Sequence, residues 1–376
     1  MKKNEKLEYI IVGAGFYGAV LAERLHASGK SVLILEKRNH FGGNCFSYDY
    51  EDTNITIHGY GTHVFHTNNP AVWRYINGFS EFNHYQHRVL TTHKNRVFTL
   101  PINLGTINTY YGINLKPNEV PAFLGTRRKP ISTPQNFEEQ AINLIGHELY
   151  AAFFKEYTIK QWGCDPRKLP ASIINRLPVR TSYHDLYFSD AYQGLPVNGY
   201  TPIFEKMLQG IPIELNVDFC ADKKYWANRA NTIIYTGPID RYFDCIFGPL
   251  KWRSIRFETE RVELPDFQGT SVMNYADLDV PYTRIHEPKH LHLERKNMSA
   301  TSTVIVREYP QSNANEPYYP VNSEGDRELL GRYQKLSANE KGVVFGGRLA
   351  EYRYYDMDQV IARALQMFLQ LTGEKG

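Results

Sequence analysis

With 376 residues the chain has room for two or three domains, and 42% hydrophobic with 22% charged residues excludes a disordered polyampholyte and a small disulfide-stapled module. The net charge of +3, from 43 Lys and Arg against 40 Asp and Glu, is too small to imply a nucleic-acid partner. The aromatic fraction, 14% with 27 Tyr, is the unusual figure: tyrosine suits a site that stacks a ring and hydrogen-bonds a polar group, and it also fills ordinary cores and interfaces.

The N-terminus, MKKNEKLEYIIVGAG, has too few apolar residues for a signal-peptide core, and no apolar run reaches bilayer length. Tyr9 to Val12 reads as a buried strand that runs into Gly13, Gly15 and Gly18, spaced G-x-G-x-x-G. A helix follows, with Val20, Leu21 and Leu25 on one face and Gly29 as its stop; a second strand, Ser31 to Leu35, ends in Glu36. This order of strand, glycine turn, helix, strand and acid is that of a dinucleotide-binding βαβ unit. Gly13 permits the tight turn, Gly15 lets backbone N–H groups approach a pyrophosphate, Gly18 lets helix and strand pack closely, and Glu36 sits where a ribose-binding carboxylate belongs. Gly42 and Gly43, just beyond, allow a second close approach and favour FAD over NAD; the alternative reading is an ordinary loop pair.

His58, His63 and His66 surround two glycines, but no carboxylate or Cys completes a familiar ligand set, so they are expected to line a flavin pocket and no metal site is assigned. Cys45, Cys164, Cys220 and Cys245 form no C-x-x-C pair, which suggests neither zinc nor disulfides and fits a reducing, cytoplasmic setting. A helix is predicted to begin near Pro134 to Ala141 and to continue through Leu144, Ile145, Leu149, Phe153 and Phe154, with Tyr157, Thr158, Lys160, Gln161 and Trp162 on and just beyond it. The next segment, rich in Pro and Gly, carries Arg176, Arg180 and Tyr187 and reads as a mobile loop over a pocket, its arginines offering anion-binding forks.

From 198 to 220 a helix and then a strand ending at Asp218 and Phe219 are predicted; Thr232 to Gly237 is a further strand. Residues 252 to 310 alternate short strands and turns, as in an antiparallel sheet. Arg284 stands in Pro281-Tyr282-Thr283-Arg284, and Tyr318 and Tyr319 occupy a proline-framed turn. Gly346, Gly347 and Arg348 follow a last strand, and an amphipathic helix runs through Val360, Ile361, Ala364, Leu365 and Phe368, a second cofactor edge returning to the first βαβ unit.

Taken in order, YIIVGAG, EKRNHFGGN, YTIKQWG, RYFDCIFG, PYTRI, EPYYPVN and VFGGRLAEYRYYDM make the chain similar to the bacterial UDP-galactopyranose mutases from Tyr9 to the C-terminal helix. The resemblance implies an α/β fold: a discontinuous Rossmann-like FAD-binding domain (1–84, 197–242 and 325–376), an inserted helical domain (103–182, its mobile substrate loop near 166–182) and an antiparallel β-sheet substrate domain (85–102, 183–196 and 243–324). It implies non-covalent FAD, active when reduced, and interconversion of UDP-galactopyranose and UDP-galactofuranose for surface polysaccharide, flavin N5 attacking the anomeric carbon as UDP leaves. It also implies a homodimer.

By the same resemblance Arg176 and Arg284 are the catalytic, phosphate-facing arginines; Tyr187, Tyr319 and Tyr354 bond the diphosphate and sugar, Thr158 and Trp162 line the channel, and Asn274 is a substrate-contacting amide. The cofactor set comprises Gly13, Gly15, Phe16, Gly18, Leu35, Glu36, Gly43, Asn44, His63, Val64, Asp218, Phe219, Arg348, Tyr355, Asp356, Met357 and Val360. Arg180 matches no substrate contact and is read as structural. His87 stands where well-studied relatives carry an Asn near the substrate, which bears on the sugar-side contact and on 2-acetamido sugars such as UDP-N-acetylgalactosamine; His66 agrees with action on plain UDP-galactose. The alternative is a FAD-dependent oxidoreductase of the amine-oxidase type, which shares the first βαβ unit and the glycine pair but has no evident use for paired arginines among tyrosines.

Overall fold

The computed structural model describes residues 6–176, 178–312 and 316–374, with the side chains of 175 and 176 left out. Five parallel strands form the first sheet, in the order Val343–Phe345, Ala230–Tyr235, Leu7–Val12, Val32–Glu36 and Ile213–Leu215. Ile10, Ile11, Ile34 and Leu35 in its centre are wholly buried, as a sheet covered on both faces requires. Helix Phe16–Ala27 packs on one face with the C-terminal helix Met357–Thr372, burying Ala19, Val20, Leu21, Leu25, Ile361 and Ala364. On the other face Phe219, Trp226, Tyr235 and Tyr242 form an aromatic layer. Because every strand runs the same way, the glycine turn after Val12, Glu36 and the turn after Phe345 meet at one edge of the sheet, where ligands of open α/β sheets bind.

The second sheet has seven strands, ordered Tyr319–Pro320, Trp252–Val262, Thr303–Gln311, Arg284–His286, Val272–Tyr275, Val89–His93 and Arg96–Leu100. It is mixed, not wholly antiparallel as expected: Val272–Tyr275 runs parallel to Val89–His93, a pairing between segments about 180 residues apart that no local pattern announces. Tyr192–Gly194 pairs with Phe65–Thr67 instead of joining this sheet.

A helical layer packs against the Val89–Leu100 end of the second sheet; its longest helix, Phe137–Tyr150, is capped by Asn136, whose side chain accepts the Glu139 N–H. The predicted continuous helix is interrupted. Gly146 adopts φ 82° and ψ 167°, and a Cβ there would lie 2.8 Å from the Arg127 carbonyl oxygen. Beyond it Ala151–Lys155 is a π-helical segment, and Glu156–Trp162 is α-helical up to Gly163. After helix Thr201–Met207 the strand Ile213–Leu215 stops short of Asp218, whose side chain instead caps the 3-10 turn Phe219–Ala221. No described helix is long and apolar enough to cross a membrane, and all four cysteines are free thiols.

Candidate active site

Three glycine turns meet at the edge of the parallel sheet. Gly13 has φ 104°, and a Cβ on it would lie 2.2 Å from Thr236 Oγ1; a Cβ on Gly18 would lie 2.0 Å from the Gly13 oxygen. Gly15 precedes the first turn of helix Phe16–Ala27, whose free N–H groups and dipole face outward. Gly43 packs against it, so close that an added Cβ would come within 3.1 Å of Gly15 Cα. Gly346 and Gly347 abut Tyr17 on the same helix, and a Cβ on Gly346 would lie 2.1 Å from the Tyr17 hydroxyl. Glu36 is buried; its carboxylate accepts the N–H groups of Ala14 at 2.8 Å and Arg38 at 2.9 Å, tying acid to glycine turn. Asn44 Oδ1 accepts from Arg38 at 3.1 Å.

At this edge Arg348 donates to the Tyr318 carbonyl, while its buried Nε has no hydrogen-bond partner. An orphaned donor on a guanidinium, beside backbone turns that tolerate no side chains, fits an acceptor-rich planar cofactor. Its guanidinium carbon lies 4.6 Å from the Tyr354 ring centre, and Tyr354 stacks on Tyr319 at 5.8 Å. The cofactor edge and the tyrosine pair are therefore one continuous surface. Tyr355 donates to Glu351 at 2.5 Å, and Asp356 caps helix Met357–Thr372, which Met357 and Val360 open.

Arg284 occupies the opposite wall. Its Nε donates to Asn274 Oδ1 at 3.2 Å, Nη2 to the Tyr157 hydroxyl at 2.7 Å, and Nη1 lies 3.5 Å from Glu308 Oε2. Glu308 is buried and also meets His286 Nε2 at 3.1 Å. Burial alone would raise its pKa, but Arg284 and the bonds from His286 and Thr283 more than offset this and hold it below the usual carboxylate range. Tyr319 and Tyr187 lie within electrostatic range of Arg284. Thr158 is buried and Trp162 half-buried on the helix that carries Tyr157. This is a fixed cation among phenolic hydroxyls, an arrangement that binds phosphate oxygens.

A third wall is built of rings. His66 stacks on Phe188 at 3.7 Å and is fixed by Asp190 at 2.7 Å, while Phe188 also stacks on His87 at 5.7 Å. The Tyr187 N–H donates to the His87 oxygen at 2.8 Å, and Tyr85 OH lies 3.0 Å from His87 Nδ1. Burial, helped by Arg284, pulls the His87 pKa down to about 3, so its ring is neutral. A cleft of about 360 Å³ lined by Phe188, Asp190 and Gln193 opens beside it.

Several further candidates are fixed by contacts of their own. His58 packs edge-on against Tyr200 and accepts the His63 N–H, so the three nearby histidines serve separate contacts. His63 is held by the Gly61 carbonyl within electrostatic range of Arg348 and Glu308, and burial lowers its pKa to about 4. Phe16, Leu35, Val64 and Phe219 are core side chains, Phe16 packing on Phe204 and Phe219 beneath Tyr235. Asp218 meets Arg241 at 2.5 Å, although the neighbouring Val217 N–H reaches the Glu36 oxygen. Arg180 donates to the carbonyls of His184 and Leu186, a structural part. Arg176 ends the 3-10 helix Ala171–Arg176, and its side chain lies outside the described ones. Glu308 and Tyr157 were not among the residues assigned from sequence. Glu308 had a readable signal, since it shares a strand face with Val304 and Val306 and so is an acid in an apolar stripe.

The sequence model for UDP-galactopyranose mutase matches residues 152–354, and one for NAD(P)-binding Rossmann-like domains matches 11–79. A probable UDP-galactopyranose mutase of Klebsiella pneumoniae is 44% identical over 364 residues, 95% of this chain and 92% of the relative. The chain belongs to the UDP-galactopyranose mutase family. The dTDP-fucopyranose mutase of Escherichia coli is 38% identical over 371 residues, 95% of this chain and 96% of the relative. At the level of fold, a crystal structure of reduced UDP-galactopyranose mutase superposes with a TM-score of 0.78 at 16% identity, covering 98% of this chain and 96% of that one. Membership in this mutase family makes the chain a flavin-dependent isomerase, not an oxidoreductase.

Proposed function

We propose that the chain interconverts UDP-galactopyranose and UDP-galactofuranose with reduced FAD as cofactor. The observation that carries this reading is Arg284, braced by Glu308, Tyr157 and Asn274 and within electrostatic range of Tyr319, whose stacked partner Tyr354 meets Arg348 of the glycine cradle. In ring contraction the bond from the anomeric carbon to UDP breaks and re-forms, and the ring oxygen changes from the 5-hydroxyl to the 4-hydroxyl. Reduced flavin, when bound, supplies the nucleophile for the anomeric carbon, with no net redox change. The protein must stabilise the departing diphosphate: Arg284 is fixed for this before substrate arrives, Arg176 is its proposed partner, and Tyr187, Tyr319 and Tyr354 offer hydroxyl donors. His87, neutral and packed on Phe188, can accept or donate one hydrogen bond without a charge.

The proposal includes a cytoplasmic homodimer whose product enters a galactofuranose-containing surface polysaccharide. The test is chromatography of UDP-galactofuranose after incubation with dithionite-reduced, flavin-loaded protein, where UDP-galactopyranose is expected. Oxidation of the sugar without ring interconversion would overturn the reading. Preferential turnover of dTDP-fucofuranose or of UDP-N-acetylgalactosamine would move the substrate assignment while leaving the chemistry intact.

A further inference from the structure

Lys160 has no part in the chemistry above, yet four main-chain carbonyls converge on its ammonium. Tyr275 and Asp277 oxygens lie at 2.7 Å, Val280 and Tyr282 oxygens at 3.0 Å. An ammonium has three N–H donors, so four carbonyl oxygens surround it as they would a dehydrated monovalent cation. Three belong to the connection between the strands Val272–Tyr275 and Arg284–His286 and the fourth to Tyr275 at the end of the first strand; the two strands hold Asn274 and Arg284. Asp277 turns its carboxylate away, to His93 Nδ1 at 2.6 Å and the Lys94 N–H at 2.8 Å, so main-chain dipoles make the cage.

Lys160 stands three residues after Tyr157 on helix Glu156–Trp162, on the same face. Tyr157 accepts from Arg284 at 2.7 Å, and Glu156 Oε2 accepts the Leu278 N–H at 2.8 Å. Three successive contacts from one helical turn thus grip one loop and the arginine at its end. Burial draws the Lys160 pKa down to about 8, against Asp277, Asp279 and Glu156, which leaves it an ammonium at neutral pH.

We propose that Lys160 is a positioning residue whose ammonium fills a monovalent-cation site built of main-chain carbonyls, and that this filled cage holds Arg284 at the proposed diphosphate site. The effect on turnover rests on the function proposed above; the cation site does not. Lys160→Ala leaves the carbonyls in place and the centre empty. In flavin-loaded protein this variant is expected to lose roughly 10- to 100-fold in kcat/KM, the scale of a small misplacement at a reacting centre. Its melting temperature, UDP affinity and turnover are expected to be higher in KCl or NH4Cl than in tetramethylammonium chloride at equal ionic strength, while the unsubstituted protein behaves alike in all three. Lys160→Met fills the space without charge and should stay defective in every salt while keeping its flavin. Equal melting temperature and UDP affinity of Lys160→Ala in KCl and tetramethylammonium chloride would overturn the proposal, as would full UDP affinity in Lys160→Met. Because melting and UDP binding need no turnover, failure of the ring-contraction reading would show separately, as cation rescue of both in a protein without mutase activity.

Discussion

Arg284 Nη1 and Glu308 Oε2 stand 3.5 Å apart, and the carboxylate of this pair is all but removed from solvent. A cation braced in this way does not have to be ordered when an anion arrives. Glu308→Gln keeps the shape and removes the charge. It is expected to destabilise the fold by about 1 to 2 kcal/mol, since the buried partner of the half-buried Arg284 loses its charge, and to weaken UDP binding. Denaturant unfolding and UDP titration measure the two effects; an unchanged unfolding midpoint would mean that solvent, not Glu308, compensates Arg284.

The two arginines separate from the flavin. Arg284→Ala and Arg176→Ala are each expected to lose roughly 100-fold or more in kcat, the scale seen when a donor to developing charge is removed, while the flavin absorbance stays. Arg284→Lys should recover little, because an ammonium cannot reach Asn274, Tyr157 and Glu308 with one planar fork. Retained turnover in either alanine variant would remove that arginine from its role.

Gly18 and Gly125 make a matched pair for the cofactor cradle. A Cβ on Gly18 would collide with the Gly13 oxygen at 2.0 Å, whereas one on Gly125 meets nothing within 4 Å. Gly18→Ala should therefore yield protein that fails to retain flavin through gel filtration, and Gly125→Ala protein that retains it.

The neutral His87 gives a pH dependence with a defined sign. Its pKa is depressed to about 3 when folded and returns near the ordinary value when unfolded, so the unfolded state binds the extra proton and acid favours unfolding. Between pH 7 and pH 5 this one group should contribute about 2 kcal/mol of lost stability, starting as pH falls through the unfolded value of about 6.5. Unfolding midpoints at both pH values, compared with His87→Gln, isolate it: the variant should lose less on acidification. Equal losses would show that His87 is protonated in the folded protein.

What the sequence discloses tracks how local the cause is. Gly13, Gly15, Gly18 and Glu36 were legible because the strand, the turn and the close packing they enforce lie within one βαβ unit. Arg284, Tyr319 and Tyr354 were placed by family resemblance, while their brace, Glu308 and Tyr157, is made by strand pairing and by a helix inserted over 100 residues earlier. At Phe16 and Phe219 the two readings divide between main chain and side chain: the residues neighbour the proposed cofactor turns, while their rings turn into the core. The periodicity from Phe137 to Phe154 was correct in kind, yet apolar spacing does not register that Gly146 leaves helical geometry.

The π-helical segment Ala151–Lys155 sets the angular phase of everything after it. A residue accommodated in such a turn rotates the following helix by about 100° relative to an uninterrupted α-helix. Tyr157, Lys160 and Trp162 therefore owe their bearing to the five residues immediately upstream. Deleting one residue there would leave composition and flavin cradle intact while turning this face of the helix away from the large sheet. In this part of the molecule, chain length between Tyr150 and Glu156 acts as a functional coordinate, one that substitution scanning would never sample.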